Sequence, residues 1–121
     1  MTAFEAVLAD IASRGIRSVY NLGDVAGKGP RGSEAVRLSR ERCTVTVRGN
    51  WDDMLGTRDL TDLPEMQWWA TELSADDRHW LGSLPESHDL ALGDHRIRMF
   101  HASATSVYSR GTRIPNSTPC S

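Results

Sequence analysis

Two short runs of β-forming residues, each preceded by a helical pattern and each ending at a glycine followed by an oxygen-bearing side chain, constrain this chain more than any other feature. Residues 18–22 lead into Gly23-Asp24, and residues 44–47 lead into Gly49-Asn50. The helix before the first run opens with Thr2 and Glu5, the T-x-x-E spacing in which each side chain caps an orphan backbone N–H. Phe4, Val7, Leu8 and Ile11 give it one apolar face at i, i+3, i+4, i+7, and Gly15 stands where a C′ glycine stops a helix. Gly27, Gly29, Pro30 and Gly32 form a loop after the first strand, and Ser33 is placed to cap a second helix running to about Arg42. Helix, strand, helix, strand is an α/β pattern. A parallel sheet ordinarily opens with a strand, and here no strand stands before the first helix.

The remainder reads less regularly. Residues 52–63 are polar and are expected to be irregular. Pro64 suits the first position of a helix reaching about Leu73, and Ser74 with Asp77 begins another that ends near Gly82. Residues 89–102 read as a hairpin turning at Gly93-Asp94, with Leu90 and Leu92 alternating on one arm and Ile97 and Met99 on the other. The expected domain is 1–108, followed by a Ser, Thr, Pro and Arg tail over 109–121 with no apolar period, read as loop or disorder.

At 121 residues the chain makes one domain at most, and 39% hydrophobic against 25% charged residues argues for a folded protein. A net charge of -2 disfavours a strongly basic nucleic-acid binder. No stretch approaches the roughly 20 apolar residues that span a bilayer, and no secretory leader pattern opens the chain. A cytoplasmic location is therefore expected, with Cys43 and Cys120 reduced and too far apart for a zinc-finger pair.

Ligands of open α/β sheets gather at the carboxyl ends of strands. Three strand ends here carry Asp24, Asn50 and His101, the last after Phe100. Taken singly, each is an ordinary turn, cap or core residue. Taken together, they form an oxygen and nitrogen donor set that suits Mn, Fe or Zn. Other constellations fail. Gly27-Lys28 lacks the P-loop pattern, because Leu22 and Gly29 occupy positions that need a glycine and a Ser or Thr. Ser103 and Ser106 lack the nucleophile elbow. His79, His88 and His95 have no partner at metal spacing and are expected at the surface, while Met66, Trp68 and Trp69 are expected to pack in the core or between helices.

The segment Leu22-Gly23-Asp24-Val25-Ala26-Gly27-Lys28-Gly29-Pro30 resembles the G-D-x-x-G-x-G-P loop of calcineurin-like metallophosphoesterases. Val47-Arg48-Gly49-Asn50-Trp51-Asp52-Asp53 resembles their G-N-H-D/E motif, and Phe100-His101-Ala102-Ser103 their late strand-end histidine motif. The order also matches, and the resemblance runs from about Thr2 to Tyr108, looking closest to small bacterial phosphodiesterase-type members. It implies an incomplete metallophosphoesterase-like β-sandwich flanked by helices. It further implies phosphoester hydrolysis of a small substrate with two divalent metal ions. Asp24 is then the bridging carboxylate and Asn50 and His101 ligands of the second metal, with all three counted as catalytic. Lys28, Arg48 and Trp51 are the candidates for contact with substrate; nucleic acid is expected only as a phosphodiester substrate.

Three departures stand out. The family's opening D-x-H and closing G-H-x-H motifs are absent, so the chain is expected to be truncated at both ends and poorly active or inactive as written. Trp51 replaces the histidine that protonates the leaving group, and Asp52, which would orient that histidine, is left as a helix cap. The alternative function is therefore an inactive fragment or pseudoenzyme acting at most as a binding module.

Overall fold

The structure, a computed structural model, describes residues 2–27, 29–103 and 105–108. Helix α1 (Ala3–Ser13) starts at the expected capping box: the Glu5 N–H donates to Thr2 Oγ1 and the Thr2 N–H to Glu5 Oε1, both at 3.2 Å. It stops at Gly15, whose φ of 72° is the left-handed conformation a glycine adopts without a Cβ penalty. Of its apolar face, Leu8 is buried and Phe4 and Ile11 are half-buried, while Val7 is exposed.

Strand β1 (Tyr20–Asn21) pairs in parallel with β2 (Val45–Thr46), Tyr20 opposite Val45 and Asn21 opposite Thr46. Both are shorter than the β-forming runs that contain them. Flanking bonds prolong the contact: Thr44 N–H donates to the Val19 carbonyl at 2.7 Å and Val47 N–H to the Asn21 carbonyl at 2.9 Å. Between β1 and α1 an open groove of about 450 Å³, bordered by Phe4, Val7, Ile11, Tyr20 and Leu22, reaches Asp24.

Helix α2 (Gly32–Arg42) links the two strands. Ser33 does not cap it. The cap position falls at Arg31, itself left-handed with φ 61°, and the Ser33 hydroxyl instead donates to Asp77 Oδ2 at 2.5 Å, tying α2 to a later helix. The expected irregular stretch 52–63 is also corrected, since α3 (Asn50–Thr57) begins directly at the second strand-end motif. Its first turn is closed by Asp52, which accepts the Gly49 N–H at 2.8 Å. Leu55 and Met54 then turn into the core, which is what makes a polar sequence helical here.

Helices α4 (Pro64–Ala70) and α5 (Ala75–Ser83) begin as read, with Pro64 at N1 of α4 and a Ser74/Asp77 capping box on α5, the Asp77 N–H meeting Ser74 Oγ at 3.0 Å. Helices α3 and α5 cross at two glycines. A Cβ on Gly56 falls 2.6 Å from Gly82 Cα and 2.9 Å from the Arg78 carbonyl, so the crossing tolerates no side chain. Arg78 adds to this seam by donating to the Leu55 carbonyl at 2.6 Å.

The core gathers Ala26, Val36, Leu55, Leu60, Met66, Leu81 and Leu84, with Trp51, Trp69 and Trp80 packed against it. Trp68 stays 58% exposed, so only its neighbour Trp69 joins the core as expected. The chain closes with the hairpin β3 (Ser87–Leu92) and β4 (His95–Phe100), turning at the expected Gly93. The result is an α/β fold of two small sheets with helices packed around them. Among the described residues no helix is long and apolar enough to cross a membrane.

Candidate metal centre

Two glycines bring the strand-end loops together. Gly23 has φ 98°, and a Cβ on it falls 2.5 Å from Gly49 N and 2.9 Å from the Val47 carbonyl. Gly49 has an ordinary φ of -90°, so its backbone needs no glycine; a Cβ there falls 2.5 Å from Asp24 N and nearer still to Asp24 Oδ1. Gly23 and Gly49 are thus required chiefly by close approach, and of these two only Gly23 takes a positive φ.

Asp52 ties the same two loops from beneath. Its side chain is fully buried, and it accepts three backbone donors: Asp24 N–H at 2.8 Å, Gly49 N–H at 2.8 Å and Val25 N–H at 2.9 Å. Asp24 is left-handed at φ 55°, which turns successive N–H groups onto one carboxylate. Burial pushes the Asp52 carboxyl up to about 6 against the pull of those three donors, and the neighbouring Asp24 charge adds to the rise. Sequence reasoning assigned Asp52 only the capping bond. The G-N-x-D spacing carries that much, and nothing in the sequence marks its bonds to residues 24 and 25.

Above this frame, Asp24, Asn50 and His101 converge. His101 Nδ1 lies 2.8 Å from the Leu22 carbonyl. A carbonyl only accepts, so Nδ1 carries a proton, and Nε2 is the ring nitrogen turned to the site. That nitrogen lies 3.0 Å from Asn50 Oδ1 and 3.4 Å from Asp24 Oδ2. Two side-chain oxygens and a ring nitrogen therefore face one another. Ligand bonds of about 2.1 Å put neighbouring donors roughly 3.0 Å apart in an octahedron and roughly 3.4 Å apart in a tetrahedron. The two distances from Nε2 are those between neighbouring ligands of a divalent cation. Asp24 Oδ1 also accepts the Trp51 N–H at 3.1 Å, which fixes the carboxylate plane. Side chains of Asp24 and His101 remain 38% and 22% exposed, leaving the site open to solvent. Among the described residues no group of three or more His, Cys, Asp or Glu is placed to hold an ion, the third donor here being a carboxamide.

The substrate candidates fare differently. The Arg48 guanidinium is turned to structural partners: it donates to the Gly82 carbonyl at 3.0 Å and to Glu86 at 3.1 Å, and lies 3.3 Å from Asp53 Oδ1. It braces β2 against α5 and the β3 approach, a role the sequence did not suggest. The Trp51 ring lies against the Gly27 backbone, where an added Cβ would sit 2.5 Å from Cε3, so the indole shapes the loop that carries Asp24. Lys28 lies outside the described residues, as does the tail 109–121. His79 and His95 are at the surface as expected, while His88 is half-buried with its ring stacked on Tyr20, centroids 6.0 Å apart.

No family model matches the chain. A stretch of 61 residues is 41% identical to an uncharacterized protein of Methanocaldococcus jannaschii, covering 50% of this chain and 25% of that protein. Among solved structures, a metallophosphoesterase from Sphaerobacter thermophilus is similar with a TM-score of 0.70 and 31% identity, over 89% of this chain and 44% of that one. A hypothetical protein from Pyrococcus horikoshii shares the fold with a TM-score of 0.67 at 19% identity, over 96% of this chain and 54% of its own. The chain spans about a quarter of the curated relative and about half of these two structures. The α/β fold is thus similar to that of a metallophosphoesterase.

Proposed function

We propose that this chain carries part of the active site of a metal-dependent phosphoester hydrolase, with Asp24, Asn50 and His101 holding a divalent cation. The observation that supports it most is the placing of His101 Nε2, 3.0 Å from Asn50 Oδ1 and 3.4 Å from Asp24 Oδ2, with Nδ1 committed to the Leu22 carbonyl. An amide oxygen, a carboxylate oxygen and an imidazole nitrogen form a donor set that suits a divalent ion such as Mn, Fe or Zn. The likeness to a metallophosphoesterase gives the chemistry: a divalent ion there supplies Lewis acidity toward a phosphoryl oxygen and activation of water.

The chain's own residues do the rest. Leu22 holds the histidine tautomer, Asp52 holds the two loops, and the Trp51 N–H orients Asp24. Asp24 Oδ1 keeps a lone pair for a second cation, as the bridging role requires. The resemblance calls for further ligands to that second ion, and none stands among the described residues. The substrate class is a small phosphoester, bound in the open face beside Asp24. Trp51 shapes that face and offers no proton there, so leaving-group protonation falls to another group.

A second reading is a chain that binds the ion and does not turn over substrate, favoured by the short donor set. Mn²⁺ titration of the metal-free chain, paired with a p-nitrophenyl phosphodiester assay, separates the two. Saturable Mn²⁺ binding that Asp24→Ala and His101→Ala each weaken at least tenfold, with turnover lost in both, supports the hydrolase. Binding without turnover supports the second reading. Binding indifferent to both substitutions overturns the site.

A further inference from the structure

Beyond His101 the chain doubles back and fastens to α3, the helix whose first residue is Asn50. Ser103 and Ser106 close a small turn, Ser103 N–H donating to the Ser106 carbonyl at 3.0 Å and Ser106 N–H to Ser103 Oγ at 3.1 Å. Val107 is then buried, and the Tyr108 phenol donates a short hydrogen bond to Asp53 Oδ2. The Tyr108 ring is covered by the Arg58 guanidinium, 4.9 Å from its centroid. Asp53 is itself fixed from the other side by Arg48 at 3.3 Å, and its side chain is only 17% exposed.

These contacts form a closed ring. His101 meets Asn50 at the start of α3, Asp53 one turn along the same helix meets Tyr108, and the chain from Tyr108 leads back to His101. The ring matters because His101 follows the end of β4 in a two-stranded hairpin. Such a hairpin is marginal by itself, and this one leaves Leu92 59% and Ile97 38% exposed. The sheet alone does not fix where β4 ends. A second anchor beyond the histidine does.

We propose that Tyr108 is a positioning residue for His101: its clasp on Asp53 holds the chain after β4 against α3, keeping Nε2 seated on Asn50 and Asp24. The effect on metal affinity rests on the function proposed above; the effect on the histidine ring does not.

The test uses the full chain. In the metal-free protein, ¹⁵N shifts of the His101 ring should show the proton held at Nδ1, on the Leu22 carbonyl. Tyr108→Phe should bring the two ring nitrogens toward the averaged values of a free imidazole and weaken Mn²⁺ binding roughly tenfold, the range seen when a group orienting a metal ligand is removed. Asp53→Ala should do the same. Asp53→Asn keeps an oxygen for the phenol and should restore both readouts most of the way. The Tyr108→Phe, Asp53→Ala double variant should be no worse than Asp53→Ala alone, because Tyr108→Phe breaks a contact that Asp53→Ala has already removed. Ring shifts and Mn²⁺ affinity unchanged in Tyr108→Phe overturn the proposal, as do additive losses in the double variant. If the parent binds no Mn²⁺ while the ring shifts still respond to Tyr108→Phe, the clasp stands and the metal reading falls.

Discussion

Gly49→Ala puts the sharpest strain on the arrangement described here. The residue has φ -90°, so alanine meets no backbone penalty and the effect is purely one of space. The new Cβ falls 2.5 Å from Asp24 N and 3.1 Å from Asp24 Cγ, and closer again to Asp24 Oδ1. Ordinary contact begins near 3.4 Å, so one loop must retreat by about 1 Å. The obstacle is backbone, which cannot swing aside as a flexible side chain can. Overpacking of this kind costs about 1–3 kcal/mol. The retreat also stretches the charge-assisted bonds that bring Asp24 and Gly49 N–H groups to Asp52 at 2.8 Å, and weakening the two together costs roughly another 1 kcal/mol. The expected loss is roughly 3 kcal/mol, or a fall in melting temperature of about 10 °C for a domain of this size. Circular dichroism melts of the parent, Gly49→Ala and Gly29→Ala measure it. At Gly29 an added Cβ meets nothing within 4 Å, so that variant should melt within about 2 °C of the parent. Equal melting temperatures for the two alanine variants refute the close approach of the loops.

Two further outcomes test the frame around the site. Gly56→Ala drives a Cβ into Gly82 across the α3–α5 crossing and should destabilise by roughly 3 kcal/mol in urea unfolding, without involving Asp24, Asn50 or His101; a loss under about 0.5 kcal/mol contradicts the crossing. Burial alone raises the Asp77 carboxyl, but hydrogen bonds with Ser33 and Ser74 and the Arg40 charge outweigh it and hold the group below its ordinary 3.8. Its contribution is therefore present above about pH 4 and lost as pH falls through the lowered value. Asp77→Asn should weaken the fold by about 1 kcal/mol at pH 7, as loss of a helix cap does, and progressively less toward pH 3; a gap that stays constant over that range contradicts the assignment.

What the sequence determined is what short-range chemistry determines. The Thr2/Glu5 and Ser74/Asp77 boxes, Pro64 at a helix start, Gly15 at a helix end and the Gly93 turn each depend on residues within four positions, and each stands in the structure. The order of strand ends also carried through, and Asp24, Asn50 and His101 do meet. Helix α3 was missed because its apolar periodicity is weak; it forms where Leu55 and Met54 find a core and Asp52 finds three donors. Ser33 was read as a local cap, and it bonds Asp77 instead, a partner 44 positions away. Arg48 was read by its charge near a candidate site, whereas packing turned its guanidinium to Gly82, Glu86 and Asp53. The sequence displays only that a glycine precedes Asp24 and Asn50, whereas the demand on Gly49 comes from a loop 25 residues earlier in the chain. Tyr108 carried no signal, since its partner Asp53 lies 55 positions back. Caps and turns are decided by bonds a few residues long, and a sequence displays them. Which carboxylate receives which N–H across the fold depends on where packing sets the elements, and only the tertiary structure decides that.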